Sequence, residues 1–342
     1  KVYMKNLIII VFLLLLIQSQ EFASSRRDTA LLYHHNEGEH CIDYIAMYDL
    51  LATINTLYLN GYYGLMEKHI NNFMKDFPPV KEVFYFKAIT LINKNKYDEG
   101  LKELFIALAM EPKFSRAQNA AGYIHALRSQ WATALQFFRE ANSNNTYNAF
   151  IEYNIAGVYY QLLDFSNALN WSKKVVEHKP NFVQGYYLCA LSAMQLNDFA
   201  SAIEYFNIVI QLKMKNDSMY YNRALAHYFL GNYEKALNDC TTALTINKKN
   251  YFAAMLTGII NVNQKNYEKA LKVFTDVLKI KKDDLFAKVF QALCIHTINK
   301  NISNQLFFAI FGSIDNGEQV AAQLTQLYQL KPVEPLPQFF LY

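Results

Sequence analysis

An all-α chain, built as a stack of helix–turn–helix units closed by a last helix, is predicted by three observations. First, an aromatic residue returns every 34 positions: Tyr63, Tyr97, Trp131, Phe165, Phe199, Tyr233 and Tyr267. Second, two columns of small residues keep step with it. Three residues later stand Gly100, Ala134, Ala168, Ala202, Ala236 and Ala270, with Met66 the exception, and nine residues earlier stand Ala88, Gly122, Ala156, Ala190, Ala224 and Gly258, with Ile54 the exception. Third, each unit holds two apolar-periodic stretches of about a dozen residues around a short polar turn, as in MYYNRALAHYFL and YEKALNDCTTALTI on either side of Gly231-Asn232. Small residues at helix centres let two helix axes approach closely. Self-similarity at a fixed period marks a repeat architecture, and the scarcity of Gly (11) and Pro (7) argues against a turn-dense β fold.

The elements follow in order. Lys1 and Lys5 precede an apolar run at residues 7–17 (LIIIVFLLLLI), too short for a bilayer core that needs about 20 apolar residues. With small residues after it (Ser19, Ala23, Ser24, Ser25), residues 1–25 read as a signal peptide, the alternative being an uncleaved membrane anchor. Residues 26–46 form an N-terminal segment. Seven units of 34 residues fill 47–284, at 47–80, 81–114, 115–148, 149–182, 183–216, 217–250 and 251–284. Turn residues recur where the chain reverses, among them Asn60-Gly61, Leu163-Asp164 and Gly231-Asn232. Pro78, Pro112 and Pro180 follow second helices, since Pro cannot continue one. A degenerate eighth unit (285–318) keeps Ala292 but loses the pattern over 301–311. The remainder, 319–342, reads as an amphipathic cap near 318–331 and a tail, PVEPLPQFFLY, that is extended because three of its residues are Pro.

These columns resemble the tetratricopeptide repeat family, over about 70% of the chain. The family pattern has a small residue at repeat position 8, an aromatic at 17, Ala at 20, a bulky residue at 24 and Ala at 27. The unit at 217–250 fits best, with Tyr220, Ala224, Gly231, Tyr233, Ala236 and Ala243 in place. The resemblance implies a right-handed α-α superhelix of seven to eight repeats with a C-terminal capping helix. It also implies a concave groove lined by first helices, chiefly at repeat positions 2, 5, 9 and 12. Position 5 reads Leu51, Tyr85, Asn119, Tyr153, Tyr187, Tyr221, Met255, and position 12 includes Tyr58, Tyr160 and Tyr228. Across the four columns only Glu82 and Arg116 are charged. Tyr buries a large area yet offers a hydroxyl, which suits peptide recognition. The expected protein-binding residues are therefore Tyr85, Tyr153, Tyr160, Tyr187, Tyr221 and Tyr228, taking an apolar or aromatic polypeptide segment, which residues 26–46 or the Pro-rich tail of the chain itself could supply.

Other chemistries are disfavoured. Members of the family that hold a chaperone's C-terminal carboxylate do so with Lys, Asn and Arg. Here Asn154 and Asn222 stand at position 6, but the cations are missing from the matching places. A net charge of +4 and one groove cation give little for phosphate contacts, so no nucleic-acid partner is expected. There is no Gly-rich phosphate loop or nucleophile elbow, so no enzyme activity and no cofactor are expected. His34, His35, Glu37, Glu39, His40 and Cys41 are metal-ligand types at a spacing that matches no known site, and read as a solvated loop. Cys189, Cys240 and Cys294 read as small apolar core residues. The expectation is an exported, non-catalytic interaction scaffold that touches a membrane only through its leader. The alternative is a helical-repeat module of a larger enzyme or RNA-binding assembly.

Overall fold

The computed structural model describes residues 44–298 together with 322, 325, 326, 328, 330–333 and 340. The leader, the His34–Cys41 segment, residues 301–311 and most of 319–342 lie outside the described residues. The chain divides into two units, 1–52 and 53–342. Among the described residues the first unit holds only the beginning of α1, and the repeats from α2 onward belong to the second.

Fifteen helices and no strand occur among the described residues. They are α1 (Tyr44–Leu59), α2 (Tyr63–Asp76), α3 (Lys81–Asn93), α4 (Tyr97–Met110), α5 (Ser115–Leu127), α6 (Trp131–Asn144), α7 (Ala149–Gln161), α8 (Phe165–His178), α9 (Val183–Gln195), α10 (Phe199–Gln211), α11 (Asp217–Phe229), α12 (Tyr233–Ile246), α13 (Tyr251–Asn263), α14 (Tyr267–Ile280) and α15 (Leu285–Ile298). From α2 onward, each helix packs against the next. Further on, Ala322, Thr325, Gln326 and Tyr328 are helical.

The 34-residue columns have concrete structural roles. Within a pair, the small residue of the first helix faces the bulky residue of the second. A Cβ added to Gly122 would lie 2.7 Å from the Phe138 ring, and one added to Gly258 would lie 2.5 Å from Phe274. Ile70, Leu104, Phe138, Phe206, Cys240 and Phe274 are all buried. The aromatic column lies at the rim of the units. Tyr63, Tyr97, Trp131, Phe165, Phe199, Tyr233 and Tyr267 are each the first residue of a second helix and are only half-buried, because that position sits at the edge of the pair beside the turn.

Two residues before each of these aromatics the backbone turns left-handed. Gly61, Asn95, Ser129, Leu163, Asn197, Gly231 and Lys265 all have φ between 56° and 74°. Only two are Gly, so the turn geometry is imposed on residues that disfavour it. Asp164 and Asp198 follow that residue in two units and cap α8 and α10, accepting from Asn167 N–H and Ser201 N–H. Asn148, Asn216 and Asn250 cap the first helices α7, α11 and α13 in the same manner.

Candidate peptide-binding face

The first helices α3, α5, α7, α9, α11 and α13 carry the Tyr-rich columns, one column entry per unit. The structure divides the six Tyr residues. Tyr160 leans on Phe165 of its own unit and Tyr228 on Tyr233, ring centroids 5.2 and 5.7 Å apart. Tyr228 also accepts from Asn263 Nδ2 at 2.9 Å. It lines a cleft of about 570 Å³ with Phe229, Tyr233, Asn263, Ala322, Thr325, Gln326 and Leu330. Tyr85 is 0% exposed, beneath the Arg116 guanidinium at 4.6 Å. Tyr187 accepts from Asn222 Nδ2 at 3.2 Å. Tyr153 and Tyr221 meet the C-terminal tail directly, the first by stacking on Phe340 and the second by bonding to Lys331.

Two side-chain amides hold the tail by its main chain. Asn154 Nδ2 donates to the Phe340 carbonyl at 2.7 Å, and Phe340 N–H donates to Asn154 Oδ1 at 2.7 Å. Asn222 Nδ2 donates to the Val333 carbonyl at 2.8 Å, and Val333 N–H donates to Asn222 Oδ1 at 2.8 Å. Each amide thus matches the N–H and C=O of a single residue.

The remaining amide hydrogen is used alike in both places. Asn154 donates it to Asn119 Oδ1 at 2.9 Å and Asn222 to the Tyr187 hydroxyl. Both partners stand at position 5 of the preceding unit, so one device is built twice, two units apart. Asn119, Asn154 and Asn222 are 0% exposed, and a buried amide needs its donors and acceptor satisfied. Asn119 Nδ2 adds a second bond to the Phe340 carbonyl at 2.9 Å, and Tyr221 hydroxyl donates to the Lys331 carbonyl at 3.0 Å.

The Phe340 ring enters an aromatic cage. Its centroid lies 5.5 Å from Phe150, 5.3 Å from Tyr153 and 5.5 Å from Phe182. Lys179 Nζ covers the cage from outside, 4.0 Å from the Phe150 centroid. Burial, with Tyr187 nearby, pushes the Tyr153 hydroxyl well above its ordinary range, and burial does the same to Tyr221. Both stay neutral at any physiological pH, so this face works as an apolar and hydrogen-bonding surface. Cys189, Cys240 and Cys294 are buried, and burial pushes each thiol up to about 12. Among the described residues no group of three His, Cys, Asp or Glu is placed to hold a metal ion, and no helix is long and apolar enough to cross a membrane.

Sequence reasoning passed over the amides as anchors. It weighed Asn154 and Asn222 only as parts of a carboxylate clamp. The available signal was a polar residue at position 6 in two units, where Phe86, Ala120, Leu188, Leu256 and Phe290 are apolar in the others.

Profiles of one family, tetratricopeptide repeat, match residues 87–149 and 218–250. The chain thus carries tetratricopeptide repeats over these residues. No curated protein matches it. Among solved structures, pilF of Pseudomonas aeruginosa aligns over 61% of this chain and 95% of its own, at 13% identity and a TM-score of 0.55. The Cut9–Hcn1 hetero-tetramer of APC/C aligns over 71% of this chain and 48% of its own, at 14% identity and a TM-score of 0.51. YrrB, described as a TPR protein with an unusual peptide-binding site, aligns over 50% of this chain and 88% of its own, at 20% identity and a TM-score of 0.47. At such identities the likeness is one of fold. Tetratricopeptide repeats serve in general as protein-interaction scaffolds, and in this chain it is the first-helix face of the repeats at 115–250 that carries the paired amides.

Proposed function

We propose that this protein is an exported, non-catalytic adaptor whose repeats capture an extended polypeptide segment, with apolar or aromatic side chains, in a groove lined by the first helices. The observation that carries the reading is the paired use of Asn154 and Asn222 on main-chain N–H and C=O groups. Main-chain groups are common to every peptide, so such a site accepts a segment by its extended shape and leaves side-chain choice to neighbouring pockets. The cage of Phe150, Tyr153 and Phe182 supplies one pocket, and the near-absence of charge favours apolar side chains.

The test is an array of Pro-containing, aromatic-rich peptides probed with the wild-type chain and with a Tyr153→Ala, Tyr187→Ala, Tyr221→Ala triple variant. Binding that falls tenfold or more in a folded variant supports the groove. Equal binding, or binding of single-stranded RNA that weakens with salt, removes it. Export rests on the apolar run at 7–17. An alkaline phosphatase reporter fused after residue 46 is active outside the cytoplasm if that reading holds and silent if it does not.

A further inference from the structure

The tail lies on the paired amides through Val333 and Phe340. We propose that the C-terminal tail, which meets the repeats at Lys331, Val333 and Phe340, is a displaceable internal occupant: an incoming partner segment replaces those contacts, presents its main chain to Asn222 and Asn154 at two residues seven apart, and places an aromatic ring in the cage at the second. This rests on the groove function proposed for the repeats and adds a ligand register, a ligand direction and a built-in competitor.

The register is that of Val333 and Phe340 on the two amides (340 − 333 = 7). Seven residues of extended chain reach about 22 Å. The direction is taken from the tail. The Phe340 carbonyl receives hydrogens from both Asn154 and Asn119, at 2.7 and 2.9 Å. A partner that replaces these contacts one for one runs as the tail does, from the repeat at 217–250 toward the repeat at 149–182.

The competitor follows from tethering. A segment on the same chain acts at an effective concentration of about millimolar for a short flexible link. A free peptide of micromolar affinity is then held off by a large factor until the tail lets go. Pro332, Pro335 and Pro337 favour an extended backbone in a released tail, which keeps the ordering cost of rebinding small. Proline donates no N–H, and neither clamped residue is Pro.

The experiment uses the full chain and a fluorescent peptide with the sequence QLKPVEPLPQFFLY. Anisotropy titrations compare wild type, Phe340→Ala, and Phe340→Ala carrying Asn154→Ala and Asn222→Ala. Expected are weak binding to wild type, a gain of at least tenfold in Phe340→Ala, and loss of that gain in the triple variant. A Val333→Pro peptide, lacking one clamped N–H, should bind Phe340→Ala several-fold more weakly than the parent.

Equal affinity for wild type and Phe340→Ala overturns the internal occupant and leaves the groove reading standing. Binding to neither chain overturns both. A further measurement needs no tail variant: hydrogen exchange at the Val333 and Phe340 amides of the wild-type chain. Saturating peptide should deprotect both amides, and protection that persists in its presence overturns displacement.

Discussion

Two stretches of the same face solve one problem in different ways. In the repeats at 47–148 the aromatic surface is closed by a side chain. The Arg116 guanidinium lies 5.5, 4.6 and 5.3 Å from the rings of Tyr58, Tyr85 and Phe86, and its Nη2 donates to Asn55 Oδ1 at 3.4 Å. In the repeats at 149–250 the surface is closed by main chain from residues more than 80 positions away. A guanidinium stacked on its own neighbours belongs to the wall and has nowhere to go. A segment held by amides on its backbone can be exchanged for another. The difference teaches that a Tyr-rich face is no binding site by itself. What sets one stretch apart is a buried polar group that a peptide backbone satisfies.

The comparison breaks most sharply at the amides. Replacing Asn154 and Asn222 together with Ala removes four hydrogen bonds to the tail. At about 1 kcal/mol net each, protection of the Val333 and Phe340 amides against hydrogen exchange should fall by about a thousandfold, with the helical circular dichroism retained. Retained protection would mean that Tyr221 and the cage hold the tail unaided. Next in size is Arg116→Ala, which uncovers Tyr58, Tyr85 and Phe86. It should lower stability by about 1–2 kcal/mol and leave tail exchange unchanged, as read by denaturant titration and exchange on one sample. Arg116→Lys should restore only part, because the planar stack is lost.

Acid provides a third contrast, since neither stretch relies on a carboxylate for these contacts. Asp284 does carry such a load at α15. Burial raises its pKa, but Ala287 N–H, Lys281 and the Tyr251 hydroxyl outweigh that and hold the carboxyl below its ordinary range. A depressed folded-state pKa contributes stability above the unfolded value of about 4 and loses it as pH falls through the folded value. Below about pH 4, α15 should therefore loosen before the tail does, measured by exchange along the chain, and Asp284→Asn should flatten that response. The smallest expected effect is Leu163→Gly. Leu163 has φ 61° and is 73% exposed, so Gly should relieve about 1 kcal/mol of backbone strain and raise the melting temperature without touching either stretch.

The repeat was legible because its columns are contacts made at every turn of the stack. Gly122 exists to admit Phe138, and a sequence shows such a pair at fixed spacing. The aromatic column was legible in position but not in depth. Periodicity says that a residue recurs, while its place at the first turn of a helix decides that it is half-buried. The Tyr columns were read as one continuous lining. They separate in the structure because Tyr160 and Tyr228 lean on the first aromatic of their own second helices, whereas Tyr153 and Tyr221 meet the tail. The paired amides stayed hidden because Asn is uncharged and stands at position 6 in only two units, and its meaning depends on a backbone over a hundred residues away.

The order of the chain also has a bearing on timing. Synthesis proceeds from the N-terminus, and the helices bearing Asn154 and Asn222 are made well before Val333 and Phe340. For an interval during every molecule's production, the amides exist and their resident segment does not. Under the displacement proposed above, a client present during that interval would meet vacant positions and face no rival, whereas one arriving later would have to evict an incumbent. The same protein would thus be quick to load when newborn and slow when mature.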